Sequence, residues 1–276
     1  MAGTLFVVAT PIGNLEDMTF RAVRVLREVA VVAAEDTRHS GRLLRHFGIE
    51  TPLLSLHEHN EQARTAAILG RLSRGEAVAL VSDAGTPAVS DPGARLVRAA
   101  AEAGFRVEPV PGASAVVAAV SAAGLDGDGF LFAGFPPIKS KARTSWFEWV
   151  LLAREETMVV FFEAPHRILQ TLATLDNVLN DQIVVFRELT KVHETTYRGR
   201  PGEIAKRLDP VVGEFAIVVP RGSRADSAAT RPSDDEVRTM FGQITNTSAR
   251  DAARMVAART GLTPNEVYDI VHRRPS

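Results

Sequence analysis

No cysteine occurs in the 276-residue chain. Disulfides and thiolate metal sites are therefore excluded, and a reducing cytoplasm is the expected compartment. Neither sign of charge is in surplus: 32 basic against 33 acidic residues leave a net charge of −1. That argues against a uniformly basic nucleic-acid coat, but not against a local patch, whose field acts over roughly 8–10 Å in ordinary salt. No apolar run approaches the about 20 residues that cross a bilayer. The opening MAGTLFVVATPIG lacks a basic leader region and meets a proline at Pro11, so it is expected to be a strand of a cytosolic protein.

Familiar catalytic signatures are missing too. The first strand is followed by TPIGNLED, with one glycine where a dinucleotide fold needs G-x-G-x-x-G. There is no G-x-x-x-x-G-K-[ST] loop, no H-E-x-x-H and no G-x-S-x-G elbow. His57 and His59 on LHEHN are the nearest approach to a metal pair, and no metal is expected. Hydride transfer, P-loop phosphotransfer, zinc hydrolysis and serine hydrolysis all lose their main support.

What is present fits a soluble enzyme or binding protein. Apolar residues make up 45% and charged residues 24%, enough for a core in one large or several smaller domains. Val/Phe/Ile-rich runs alternate with helical patterns. Strands are expected near 4–9, 31–35, 77–81 and 106–110, with helices near 19–29, 60–74 and 93–103 and a small-residue helix in PGASAVVAAVSAAG. Such alternation implies βαβ crossovers and a mainly parallel sheet. Further strands are expected in FLFAGFPP (130–137), MVVFFEAPHR (158–167), IVVFRELTK (183–191) and EFAIVVP (214–220), with a helix over 139–156. RGSRADSAATRPSDD (221–235) has linker composition. Three short helices follow, with Ser248 and Thr263 as expected N-caps and Gly261 as a stop. The last two read as a helix-turn-helix pair.

Strand ends carry unusual polar turns: TPIGN, AEDTR, SDAGTP, PGASA, FEAPHR and RELTK. Ligands of open parallel sheets sit outside the carboxyl ends of the strands, so these turns are expected to converge on one cleft. In SDAGTPAVSDPG (82–93), Gly85 lets main chain approach a ligand without a Cβ, while Pro87 and Pro92 stiffen the loop.

TPIGNLEDMTFRA, AEDTR, SDAGTPAVSDPG, PGASA, FFEAPHR and RELTKVHE, in this order from Leu5 to about Pro220, resemble the tetrapyrrole-methylase-type (class III) S-adenosylmethionine methyltransferases. Within them the chain is similar to the branch that methylates cytidine 2′-hydroxyls of small-subunit (16S) ribosomal RNA in the decoding region. The resemblance implies an α/β fold: two α/β lobes with the cofactor cleft between them, over 1–115 and 116–222. A linker over 223–233 then leads to a helical helix-turn-helix-like appendage over 234–276. It implies S-adenosylmethionine as cofactor, held by Pro11, Asp83, Ala84, Gly85, Thr86, Val89, Ser114, Ala115, Phe162 and Ala216. A homodimer and 16S rRNA in the small ribosomal subunit are the implied partners. Corrin-making relatives carry Gly-Asp-Pro where this chain reads Gly85-Thr86-Pro87, which removes a carboxylate and favours a different acceptor.

A sugar hydroxyl is a weak acid, so its methylation needs a base or a positive group besides positioning. The turns offer Glu35, Asp36, Arg38, Glu163, His166, Glu188, Lys191 and Glu194. Lys191 with Glu188 or Asp36 is expected to serve deprotonation, and Arg21, Arg38 and Arg167 to contact phosphates. Asn14 either orients the ribose or caps the first loop. KSKAR (139–143) with Trp146 and Trp149 is either an RNA contact or a helix start with tryptophan in the core. Arg250, Arg254, Arg259, Arg273 and Arg274 make the tail rich in arginine, although its acids nearly balance them. Two other functions fit the same residues, a tetrapyrrole methyltransferase and a non-catalytic RNA-binding assembly factor.

Overall fold

A computed structural model describes residues 2–57, 59–179, 181–222, 233–242, 249–260 and 262–272. Ten strands and eleven α-helices occur among them. Residues 223–232 of the expected 223–233 linker, the cap Ser248 and the stop Gly261, Arg273 and Arg274, and the side chains of Arg254 and Arg259 lie outside the described residues.

The first sheet takes β1 (Thr4–Val8), β2 (Val31–Ala34), β3 (Leu53–Ser55), β4 (Val78–Val81) and β5 (Arg106–Val110) in the order β3-β2-β4-β1-β5. Every pairing is parallel. β2 and β4 are buried at every position, as strands covered on both faces must be. Alternate residues part to opposite faces. Val32, Ala34, Ala79 and Val81 meet Ala22, Val25 and Leu26 of α1 (Phe20–Glu28) and Leu44 of α2 (Thr37–His46). Val31, Ala33, Val78 and Leu80 meet Ile68 and Leu72 of α3 (Glu61–Ser73) and Leu96 and Ala100 of α4 (Ala94–Glu102). The crossovers thus wrap both faces of a parallel sheet.

α5 (Ala115–Ala123) leaves the first sheet and packs Val116, Ala119 and Ala123 on the second. That sheet takes β6 (Phe130–Phe132), β7 (Met158–Glu163), β8 (Ile183–Arg187), β9 (Thr195–Gly199) and β10 (Phe215–Val219), in the order β6-β7-β10-β8-β9. Only β6–β7 is parallel; β10 runs antiparallel between β7 and β8. Its other face carries α6 (Ser140–Ala153), α7 (Pro165–Val178) and α8 (Pro201–Arg207) around Phe147, Ile168, Leu172, Leu175 and Ile204. Burying a side chain of this size contributes about 1.5–3 kcal/mol.

α9 (Asp234–Gly242), α10 (Ala249–Thr260) and α11 (Pro264–His272) form a cluster of their own around Val237, Val256, Val267 and Ile270. Thr263 and Glu266 exchange side-chain and backbone hydrogen bonds at the start of α11, a capping box. No helix among the described residues is long and apolar enough to cross a membrane.

The sequence reading passes over α2, α7 and α8. Where it expects a turn at AEDTR, Asp36 caps α2 by accepting from the amides of Arg38 (2.7 Å) and His39 (3.4 Å). Pro165 and Pro201 start α7 and α8, where the missing N–H has no intrahelical partner to lose.

Candidate active site between the two lobes

The polar turns after β1, β4 and β5 meet at one end of the first sheet. Thr10 and Gly85 bind each other through both backbone groups, at 2.8 and 3.0 Å, so the loops after β1 and β4 are clasped. Thr86 Oγ1 donates to Ala113 O at 3.4 Å, joining the loop after β5. Gly85 has φ +75°, and a Cβ there would stand 3.3 Å from Ile12 Cγ2. Ala88 and Ser90 also hold positive φ, 65° and 64°. For side-chain-bearing residues that conformation costs of order 1–3 kcal/mol, and it clusters at ligand-binding loops.

The second lobe supplies a row of side chains. Ala216 of β10 lies in register with Phe162 of β7 on one side and Phe186 of β8 on the other. A small residue between two large ones leaves a pit in the sheet face. Phe162 stacks edge-on with Phe132 and Phe135, at 4.9 and 5.5 Å between centroids.

Between loops and row lies a cavity of about 340 Å³, lined by Ile12, Ala84, Thr86, Val89, Asp91, Ser114, Ala115, Phe135, Phe162, Phe186, Leu189 and Ala216 among others. That size suits a small-molecule site. Ala84, Thr86, Val89, Ser114, Ala115, Phe162 and Ala216 of the sequence-derived set line it, whereas Gly85 shapes the loop behind it through Thr10. Ile12, Asp91, Phe135, Phe186 and Leu189 were not singled out from the sequence. Phe186 and Leu189 sit in the quoted strand-turn IVVFRELTK, and only strand pairing reveals that Phe186 lies beside Ala216.

These walls fit S-adenosylmethionine. Aromatic and aliphatic side chains can sandwich an adenine, ring faces attract a sulfonium, and Asp91 brings a carboxylate to the lining. Burial raises the pKa of Asp91 and nearby Asp83 raises it further, against a hydrogen bond from Ser82. Glu35 is raised likewise by burial, then by Asp83, Asp91 and Asp36.

A second hollow of about 400 Å³ adjoins the first, sharing Ile12, Ala84 and Glu214 with it. It is lined further by Pro11, Gly13, Leu15, His39, Arg42, His46, Asp83 and Lys191. Pro11 and Asp83 therefore stand on this side, and Asp83 Oδ1 also accepts from the Asp36 amide at 3.1 Å. Lys191 Nζ donates to Glu188 Oε1 at 2.9 Å and to Glu214 Oε2 at 3.0 Å. Two glycines make room: a Cβ on Gly13 would stand 2.3 Å from Lys191 Cγ, and one on Gly213 would stand 2.5 Å from Glu188 Oε1. Glu188 and Thr190 hold positive φ, 55° and 66°, and Thr190 N donates to Glu194 Oε2 at 2.6 Å.

Burial lowers the Lys191 pKa, but hydrogen bonds to Glu188 and Glu214 outweigh it and hold the pKa above the usual value. For Glu188, burial raises the pKa, and the Lys191 hydrogen bond and Glu214 amide bring it below the usual value. The hollow thus holds the Lys191 ammonium between Glu188 and Glu214. Asp36 is committed elsewhere: hydrogen bonds from Arg38 pull its pKa down to about 2, so it is a weak proton acceptor.

The arginines expected on phosphate divide. Arg167 is mostly buried, donating to Glu163 Oε1 (2.8 Å) and Pro136 O (3.2 Å). Glu163 also binds Arg143 Nη2 at 2.8 Å and Thr171 Oγ1 at 2.5 Å. Arg167 and Arg143 therefore brace the cavity wall, and Trp146 packs on Phe147 and Phe161, so KSKAR leads a helix whose arginine and first tryptophan face inward. Arg21 holds Pro109 O at 2.7 Å and Glu108 at 3.2 Å. Arg38 is 89% exposed beside Asp36. Asn14 caps a 3-10 turn by accepting from Glu16 N at 3.1 Å. Among the described residues, no group of three or more His, Asp or Glu is arranged to hold a metal ion.

Known proteins resemble the chain in sequence and in fold. Residues 4–205 match the family model of the tetrapyrrole (corrin/porphyrin) methylases. A ribosomal RNA small subunit methyltransferase I from Pseudomonas aeruginosa is 46% identical over 97% of this chain and 96% of its own. Its namesake from Synechocystis is 43% identical over 97% of each chain. The fold resembles a uroporphyrin-III-C-methyltransferase from Thermus thermophilus at a TM-score of 0.55, with 22% identity over 78% of this chain and 94% of that one. The chain belongs to the tetrapyrrole methylase family of S-adenosylmethionine-dependent methyltransferases, on the branch formed by the ribosomal RNA small subunit methyltransferase I proteins.

Proposed function

We propose that the protein methylates the 2′-hydroxyl of a cytidine ribose in small-subunit (16S) ribosomal RNA, in the decoding region. The observation that carries this reading is the second hollow, opening off the cofactor cavity through Ile12, Ala84 and Glu214 and holding the Lys191 ammonium. The names of the near-full-length relatives point to the same RNA.

When bound, S-adenosylmethionine supplies an electrophilic methyl group. Ala84, Thr86, Val89, Ser114, Ala115, Phe162 and Ala216 hold it, with Gly85 setting the loop behind them. The protein's other task is the acceptor proton. Lys191 donates to the ribose oxygen and stabilises the negative charge that develops there. Glu188 holds Lys191 in place, and Glu214 receives the proton of the ribose hydroxyl. Glu214, with its side chain 78% exposed, passes the proton to water. Asp36 keeps a structural part at the head of α2. The reading extends to a homodimer working in the cytoplasm.

The test is transfer of labelled methyl from adenosylmethionine to small subunits from a strain lacking this gene, with the label mapped by nuclease digestion. Label on one cytidine ribose is expected. Absence of label from every RNA offered, while the cofactor still binds, overturns the reading and turns attention to porphyrin-like acceptors.

A further inference from the structure

Many arginines elsewhere in the fold are tied down. Arg21 and Arg106 share Glu108, Arg71 and Arg74 share Glu76, and Arg143 and Arg167 share Glu163. The helix α2 departs from that habit. Between Thr37 and His46 it carries Arg38, His39, Arg42, Arg45 and His46 and no acidic residue. Leu43, Leu44 and Ser40 turn inward, which leaves the arginines, at i, i+4 and i+7, as one outward stripe.

A third hollow of about 500 Å³ runs along this stripe, lined by Asp36, Thr37, Arg38, Gly41, Arg42 and Arg45. Arg42 lines both this hollow and the one that holds Lys191. Its guanidinium has no hydrogen bond or ion pair among the described residues, and Arg45 donates only to Gly41 O of its own helix, at 3.1 Å. Unpaired guanidinium groups beside a concave surface suit phosphate oxygens, which they bind through paired donors.

We infer that the outer face of α2 is a rail for the RNA backbone, on which Arg42 and Arg45 bind the phosphates adjoining the nucleotide seated beside Lys191. This rests on the RNA reading above and adds where the strand runs. The series from cofactor cavity through acceptor hollow to stripe sets the path: the acceptor hollow lies along one side of α2, at His39, Arg42 and His46, and the flanking strand crosses Arg42 to the adjoining side that carries Arg38 and Arg45. Arg38 extends the stripe, with Asp36 as its partner until RNA competes.

The test compares wild type, Arg42→Ala/Arg45→Ala and, as a charge-matched control, Arg24→Ala/Arg27→Ala on α1. Two measurements are made: binding of protein-free 16S RNA at several salt concentrations, and methyl transfer to small subunits. The α2 variant is expected to bind RNA at least tenfold more weakly. Its log–log salt slope should shrink by about 0.7 for each lost phosphate contact, so about 1.4 for two. Its KM for subunits should rise by a larger factor than any fall in kcat, while adenosylmethionine affinity stays within twofold. A wild-type salt slope in the α2 variant, or an equal loss in the α1 control, overturns the rail. Absence of methyl transfer by wild type together with an intact binding difference overturns the RNA 2′-O-methylation reading and leaves the rail standing.

Discussion

The two sheets have five strands each and serve the same cavity by different means. In the first, every strand is parallel, so the loops after β1, β4 and β5 open at one end, and the site there is made of turns and backbone. In the second, β10 runs against β7 and β8, and the site is made of adjacent side chains across three strands, Phe162, Ala216 and Phe186. Parallel order gathers loops; antiparallel order places neighbours in register. The first lobe can therefore shape itself to a ligand by turn chemistry, whereas the second offers a fixed floor.

Four variants test that division, beginning with the strongest effect. Glu163→Gln removes the carboxylate that Arg143 and Arg167 share and leaves two guanidinium groups short of a partner in the second lobe. Breaking a buried pair typically costs about 3–5 kcal/mol, and denaturant unfolding should show a loss of that order. Lys191→Met should lower kcat by about 10²–10³, the usual result of deleting one donor to a developing oxyanion, with adenosylmethionine affinity kept; an unchanged kcat would remove Lys191 from the chemistry. Ala216→Leu fills the pit. Overpacking costs about 1–3 kcal/mol, so calorimetry should record cofactor binding weakened by about ten- to hundredfold. Gly85→Ala is the first-lobe counterpart: the added methyl meets Ile12 at 3.3 Å and positive φ, and binding should weaken by about fivefold, as of order 1 kcal/mol implies.

The pH dependence is smaller and has a defined sign. Glu188 is depressed in the fold, so its contribution is present above an unfolded value of about 4.3 and lost as pH falls through its folded value. Lys191 is raised, so its contribution is present below about 10.4 and lost as pH rises through its folded value. The melting-temperature difference between wild type and Lys191→Met should hold steady across neutral pH and shrink at both extremes. A difference that grows toward acid would contradict the pairing of Lys191 with Glu188.

The same contrast explains what could be read without coordinates. TPIGN, SDAGTPAVSDPG and PGASA announce themselves because glycine, proline and short polar residues encode turns locally. Ala216 carries no such signal; its neighbours Phe162 and Phe186 are 54 and 30 residues away in the chain, and only the resemblance to relatives singled it out. The surroundings of Arg167 are illegible for a related reason. Its type suggests phosphate, and nothing in the sequence declares that Glu163 turns it inward. α2 was hidden by its first residues, since an acidic residue followed by threonine and arginine serves a turn as readily as a helix cap. His39, Arg42 and His46 went unnoticed with it.

The wall formed by Ile12, Ala84 and Glu214 belongs to both hollows. Two compartments divided by a few shared side chains cannot be filled independently, because a shift of Ile12 that enlarges one narrows the other. On the proposed reading, any effect of the cofactor on RNA affinity is matched by an equal effect of RNA on cofactor affinity. The enzyme's preference for a loaded or an empty partner is thus written in three residues of partition.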